Sequence, residues 1–283
     1  MQDSGLACDV STWGGAGFVN ALADVHRAGF SGVEAGGDIV PAFEDRTHVL
    51  KEMLEFERLS LITVRAALRP LSGGSAEEEC ERCLNVARFL HSMSCKLLVL
   101  VAPPAAPDSL EEEWLLFTNL LSEAGRRAGE LGIRLAVAPE RGTIIGSRSE
   151  VERLAKAFPA KSLPLAVDAG FLAASGLSIS GFFRKYKARL AHLYLSDVTL
   201  KPGKAAAAAR KARGQKAKAK RAPAAKVILG KGAVNVGRFL DAATAAKYQG
   251  WVTVRLKASE VQRDAPGAAA RAYRIAAEAL DLV

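Results

Sequence analysis

Short apolar runs of strand character recur eight times along this chain, each followed by a segment of helical periodicity. The runs cover 6–10, 32–35, 59–66, 96–102, 133–138, 165–168, 190–196 and 251–256. Helical patterns fall between them at 18–27, 44–58, 76–92, 110–131, 150–157, 179–186 and 236–247, and a last one closes the chain at 267–280. One strand and one crossover helix per step, repeated eight times, is what a closed parallel barrel requires. The expected fold is therefore α/β, a (β/α)8 TIM barrel, with residues 1–283 forming one domain. An open doubly wound sheet would want a glycine-rich phosphate loop after its first strand, and GGAG at 14–17 is a poor match.

Alternation along the strands sorts their faces. Leu193 and Leu195 oppose His192, Tyr194 and Ser196; Val252, Val254 and Leu256 oppose Thr253 and Arg255; Leu135 and Val137 oppose Ala136, Ala138 and Glu140. The apolar sets are expected under the helices, the others inside the barrel and at its rim. The run LPLAVDAGF ends on Asp168, an acid at the C-terminal end of a strand, where such barrels place chemistry. A second reading of Asp168, as a cap for the turn at Gly170, stands beside the first, and Asp197 has the same alternative as a cap for the turn into the insertion. Together these positions define a candidate pocket of Glu34, Glu140, Arg141, Asp168, His192, Tyr194, Asp197 and Arg255.

Composition narrows the class. No apolar run reaches membrane-spanning length, and no basic start precedes an apolar stretch, so neither a membrane partner nor a secretory route is expected. Four cysteines, with Cys80 and Cys83 inside a helical pattern and no second pair, point to reduced thiols and a cytoplasmic protein. The net charge of +9 is local. Residues 201–226 hold ten Lys and Arg and no acid, and without them the chain carries −1. This Ala/Lys/Arg-rich insertion after the seventh strand also lacks aromatic residues. It is expected either as a solvated loop or as a contact for nucleic acid or another polyanion through phosphate neutralisation.

The stretches GVEAGG, LGIRLAVAPERGT, LPLAVDAGFLAASG, LAHLYLSDV, LGKGAVNVGRFL and YQGWVTVRL, in this order, resemble the xylose isomerase-like TIM barrels, which include sugar-phosphate isomerases and epimerases. The resemblance covers the chain outside 201–226. It implies four side chains around a divalent metal, from the fifth to the eighth strands, with two glutamates serving as acid and base. Carried over by position, those four are Ala138, Asp168, Tyr194 and Arg255; a further family histidine falls on Phe171, and a Lys-Asp pair on Ser196–Asp197. Alanine offers a metal no donor, and a guanidinium repels one. No cofactor is therefore expected, although Glu140 could stand in as a ligand if a divalent metal were held.

The Arg255 guanidinium is expected to fill the space of the lost metal and pair with Asp168 and Glu140. The loss of both proton-transfer glutamates favours a pseudoenzyme, a binding or scaffold barrel. The alternative is an active sugar or sugar-phosphate isomerase/epimerase with a rebuilt site. In that reading Glu140, Asp168 and Tyr194 are catalytic, and Glu34, Arg141, His192, Asp197 and Arg255 hold a small carbohydrate-like or anionic ligand. A DNA-cleaving metal cluster would need more His, Asp and Glu ligands than this chain offers.

Overall fold

The computed structural model describes residues 4–71, 75–105, 110–200 and 224–282. Eight strands close a parallel barrel: β1 (Leu6–Asp9), β2 (Gly32–Gly36), β3 (Ser60–Ala67), β4 (Leu97–Val101), β5 (Arg134–Ala138), β6 (Leu165–Asp168), β7 (Leu190–Leu195) and, last in the chain, β10 (Val252–Val254). Sequential strands are neighbours, and β10 closes the ring between β7 and β1, with Cys8 opposite Val254 and Thr253 opposite Tyr194. The intervening helices are α1 (Phe18–Ala28), α2 (Ile39–Phe43), α3 (Thr47–Phe56), α4 (Ser75–Ser92), α5 (Leu110–Glu130), α6 (Arg148–Ala157), α7 (Ala169–Ser175), α8 (Ile179–Tyr186), α9 (Val236–Ala245) and α10 (Ala258–Glu278), the last broken at Asp264 just before Pro266. Among the described residues no helix is long and apolar enough to cross a membrane.

The two apolar zones follow from strand alternation. Leu135, Val137, Leu193, Leu195, Val252 and Val254 face outward into one continuous core beneath the helices. Val99, Val101, Ala136, Ala138, Ala166 and Tyr194 form a separate cluster inside the barrel. The interior residues are mostly small, which leaves room at both ends of the barrel. All four cysteines are free and buried, and burial raises the thiol pKa of each, as expected for structural cysteines.

Three local features depart from the sequence expectation. The helical pattern at 44–58 is the shorter helix α3, and a separate short helix, α2, precedes it at Ile39–Phe43. The Ala-rich run after Asp168, expected as a turn, is helix α7, capped by the Asp168 carboxylate and ended by Gly176. A two-stranded antiparallel hairpin, β8 (Asp197–Thr199) with β9 (Ala225–Val227), stands at the barrel mouth with Val198 opposite Lys226. The insertion thus ends in a strand, while 201–223, with the basic run proposed for polyanions, lies outside the described residues.

Candidate functional site

The C-terminal ends of the strands carry a cluster of charges around Arg255. Its backbone N–H donates to the Leu195 carbonyl, which extends the β7–β10 ladder and aims the side chain over the barrel axis. The guanidinium is nearly buried. Nη1 lies 3.1 Å from Asp168 Oδ2 and 3.9 Å from Glu140 Oε2, while Nε lies 3.5 Å from Asp9 Oδ2. Its carbon sits 5.5 Å from the centre of the Tyr194 ring. Burial disfavours this charge, but Asp168, Asp9 and Glu140 more than offset that, so Arg255 stays protonated.

Each acid is held from behind. Asp168 Oδ1 accepts from the Gly170 N–H at 2.7 Å and from Ser196 Oγ at 2.6 Å, leaving Oδ2 for the guanidinium. Both readings of Asp168 therefore describe the same side chain, one oxygen capping and the other facing the site. A Cβ at Gly170 would come within 2.4 Å of Ser196 Oγ, so only glycine allows that arrangement. Asp9 Oδ1 accepts from the Ser11 N–H and hydroxyl at 3.0 and 2.6 Å. Glu140, partly exposed, accepts from Arg65 Nη2 on β3.

Beneath this layer lies an uncharged one. The Tyr194 hydroxyl donates to Glu34 Oε2 at 2.7 Å, and Oε1 of this fully buried acid has no partner among the described residues. Burial, with Asp9 nearby, pushes Glu34 up to about 8, against the opposing pull of Arg65, so it holds a proton at neutral pH. His192 lies against Tyr194, edge on, with Nε2 2.8 Å from Thr253 Oγ1. Burial drives its pKa down to about 3, so the ring is neutral.

A cavity of about 180 Å³ opens onto the upper layer, lined by Glu140, Arg141, Asp168, Tyr194, Ser196, Lys226 and Arg255 among others. Glu34 lies behind Tyr194 rather than at the cavity wall. His192 lies deeper still and faces the opposite end of the barrel. Asp197, expected to bind ligand or else to cap the turn into the insertion, does the second: it accepts from four backbone N–H groups, Val198 and Val234 on Oδ1, Gly230 and Gly232 on Oδ2. That bonding folds the LGKGAV stretch around its carboxylate, and a Cβ at Gly232 would come within 2.2 Å of it. Asp197→Ala should therefore leave these donors unpaired and cost about 3 kcal/mol of stability, read by chemical denaturation.

Sequence reading missed Asp9, Arg65 and Lys226, and it set Ser196 on the inward face without giving it a part in the site. Asp9 ends its strand on an acid just as Asp168 does, the signal that could have found it. Lys226 was counted with the basic run, yet it reaches the site rim, where desolvation and the adjacent Arg255 disfavour its charge.

These residues do not fit the divalent metal of the resemblance. Residue 138 is Ala, burial raises the Tyr194 phenol well above its usual range so that it keeps its proton and offers no tyrosinate ligand, and a guanidinium stands against Asp168 and Glu140. Among the described residues no group of three or more His, Cys, Asp or Glu could hold a metal ion.

Residues 22–281 match the family described as xylose isomerase-like TIM barrel. An inosose dehydratase of Geobacillus thermodenitrificans is 27% identical over 252 residues, covering 84% of this chain and 81% of that protein. The probable 3-DHS dehydratase AsbF of Bacillus anthracis superposes with a TM-score of 0.75 at 12% identity, over 96% of this chain and 98% of that one. The IOLI protein with a bound zinc atom also gives 0.75, at 16% identity, over 99% and 98% of the two chains.

Proposed function

This chain belongs to the xylose isomerase-like TIM barrel family, and from that premise we propose that it is an enzyme acting on a small polyhydroxylated ketone through an enolate, in the manner of an isomerase, epimerase or dehydratase, with the Arg255 guanidinium in the place of a metal. The observation that carries this reading is the buried guanidinium 3.1 Å from Asp168, at the barrel mouth and open to the cavity. The name of the Geobacillus relative supports a sugar-modifying activity.

In this mechanism the ketone oxygen accepts from Arg255, whose fixed charge stabilises the enolate oxygen as it forms. Glu140, partly exposed beside the cavity, takes the proton from the adjacent carbon. The enolate is then reprotonated, or it expels a neighbouring hydroxyl as water with a proton from Tyr194. Glu34 resupplies Tyr194, since its carboxyl holds a proton at neutral pH. Lys226 and Arg141 at the rim suit a substrate bearing an acidic group.

A second reading, a ligand-binding barrel without turnover, is favoured by one observation: Asp168 and Glu140 already bond to Arg255 and Arg65. Proton NMR in D2O separates the two. With chelator present, a panel of inosose, D-fructose, D-psicose, D-tagatose and the keto acid 3-dehydroshikimate should exchange the hydrogen beside the ketone of at least one member. Tyr194→Phe should slow the full reaction by on the order of 10²-fold. Binding with no exchange across the panel would support the non-catalytic barrel instead.

A further inference from the structure

A second cavity lies at the opposite end of the barrel, where strands begin. It has a volume of about 740 Å³ and lies among the starts of β3, β4, β5 and β7 and the turn at 246–251. Four cations open into it, Lys96, Arg134, Lys187 and Lys247, and its lining includes no Asp or Glu. None of the four lies within ion-pair distance of a carboxylate among the described residues.

Each of these cations follows a helix: Lys96 follows α4, Arg134 α5, Lys187 α8 and Lys247 α9. Helix C-terminal carbonyls favour one cation apiece. They do not explain why all four meet around one concave space. Nor do they explain Lys247 itself, which holds the left-handed conformation, φ 57°, that favours glycine. Ser94, on the same wall, does the same at φ 56°. The turn is fixed from behind, because Tyr248 donates its hydroxyl to the Trp251 carbonyl at 2.7 Å. The Trp251 ring borders the space and gives an apolar plane beside the charges.

We propose that this cavity is a binding site for a small phosphate-bearing anion, held by Lys96, Arg134, Lys187 and Lys247 at the end of the barrel away from the candidate active site. Ammonium groups act on a phosphate as point charges, and the guanidinium as a two-pronged donor. Several of them facing one space suit an anion with more than one charge. The proposal is independent of the reaction at the mouth.

Calorimetric titration of the full chain with inorganic pyrophosphate, at fixed ionic strength, tests it. One ion per chain is expected, together with a change in tryptophan fluorescence. The triple variant Lys96→Gln/Arg134→Gln/Lys247→Gln should weaken binding at least tenfold, while deuterium exchange at the other site is unaffected. Lys247→Gly provides a variant that the local backbone favours, so it should fold at least as well as the parent and still bind several-fold more weakly. Absence of binding by the parent chain would overturn the proposal. So would equal binding by the variants, which would place the ion on the basic run at 201–223.

Discussion

Arg255→Ala is expected to lower stability by about 3–5 kcal/mol, because it strips the counter-charge from buried carboxylates. In a chain of this size that is a fall in Tm on the order of 10 °C. Asp168 and Asp9 are nearly buried, and both face the guanidinium within 3.5 Å. Without it, each must stay ionised and unpaired or take up a proton, and both cost free energy. Adding Asp168→Asn to the variant should recover part of the loss, since removing both members of a buried pair leaves less unpaired charge than removing one. Arg255→Lys should keep much of the stability but impair turnover, because an ammonium cannot reproduce the fork. An unchanged Tm for Arg255→Ala, measured by calorimetry, would mean that the cluster is solvated and the guanidinium structurally idle.

The pH profile of stability should be a plateau bounded by two interior groups. Glu34 goes from an ordinary 4.5 to about 8 on folding, so between those values the native state holds a proton that the unfolded chain has lost. Its contribution is complete below pH 4.5 and is lost as pH rises towards 8, at up to about 1.4 kcal/mol per unit. His192 goes from 6.5 to about 3, so between those values the unfolded chain holds the extra proton. That contribution is complete above pH 6.5 and is lost as pH falls towards 3. From 4.5 to 6.5 the two slopes oppose and nearly cancel. Stability should therefore be flat there, falling on the alkaline side through Glu34 and on the acid side through His192. Glu34→Gln keeps an acceptor for the Tyr194 hydroxyl and should flatten the alkaline limb alone. An alkaline limb that survives this substitution would assign the titration elsewhere. The measurement is urea denaturation at half-unit steps from pH 3 to 9.

The barrel was legible because eight apolar runs with helical spacers leave few other solutions, and because alternation sorts faces reliably. Leu193 and Leu195 lie outside and Tyr194 inside, as their spacing requires. Depth was not legible. His192 and Tyr194 share a face two residues apart, which is enough to set one towards the mouth and the other towards the opposite cavity. The pairing of Arg255 with Asp168 could be anticipated from residue types at family positions, whereas its contact with Asp9 required the closure of β10 onto β1. Asp197 left two readings open because a carboxylate that binds ligand and one that gathers four backbone N–H groups look alike in sequence. Lys226 was masked by its neighbours, since a strand of three residues at the end of a low-complexity run carries no periodic signal of its own.

In this proposal a guanidinium serves where the family resemblance would place a divalent ion. The most direct test is the metal content of protein purified without chelator, followed by titration with manganese, zinc and magnesium. Metal is expected to be substoichiometric, with no saturable binding that depends on Asp168 and deuterium exchange indifferent to chelator. One ion per chain, lost in Asp168→Asn and required for exchange, would contradict it.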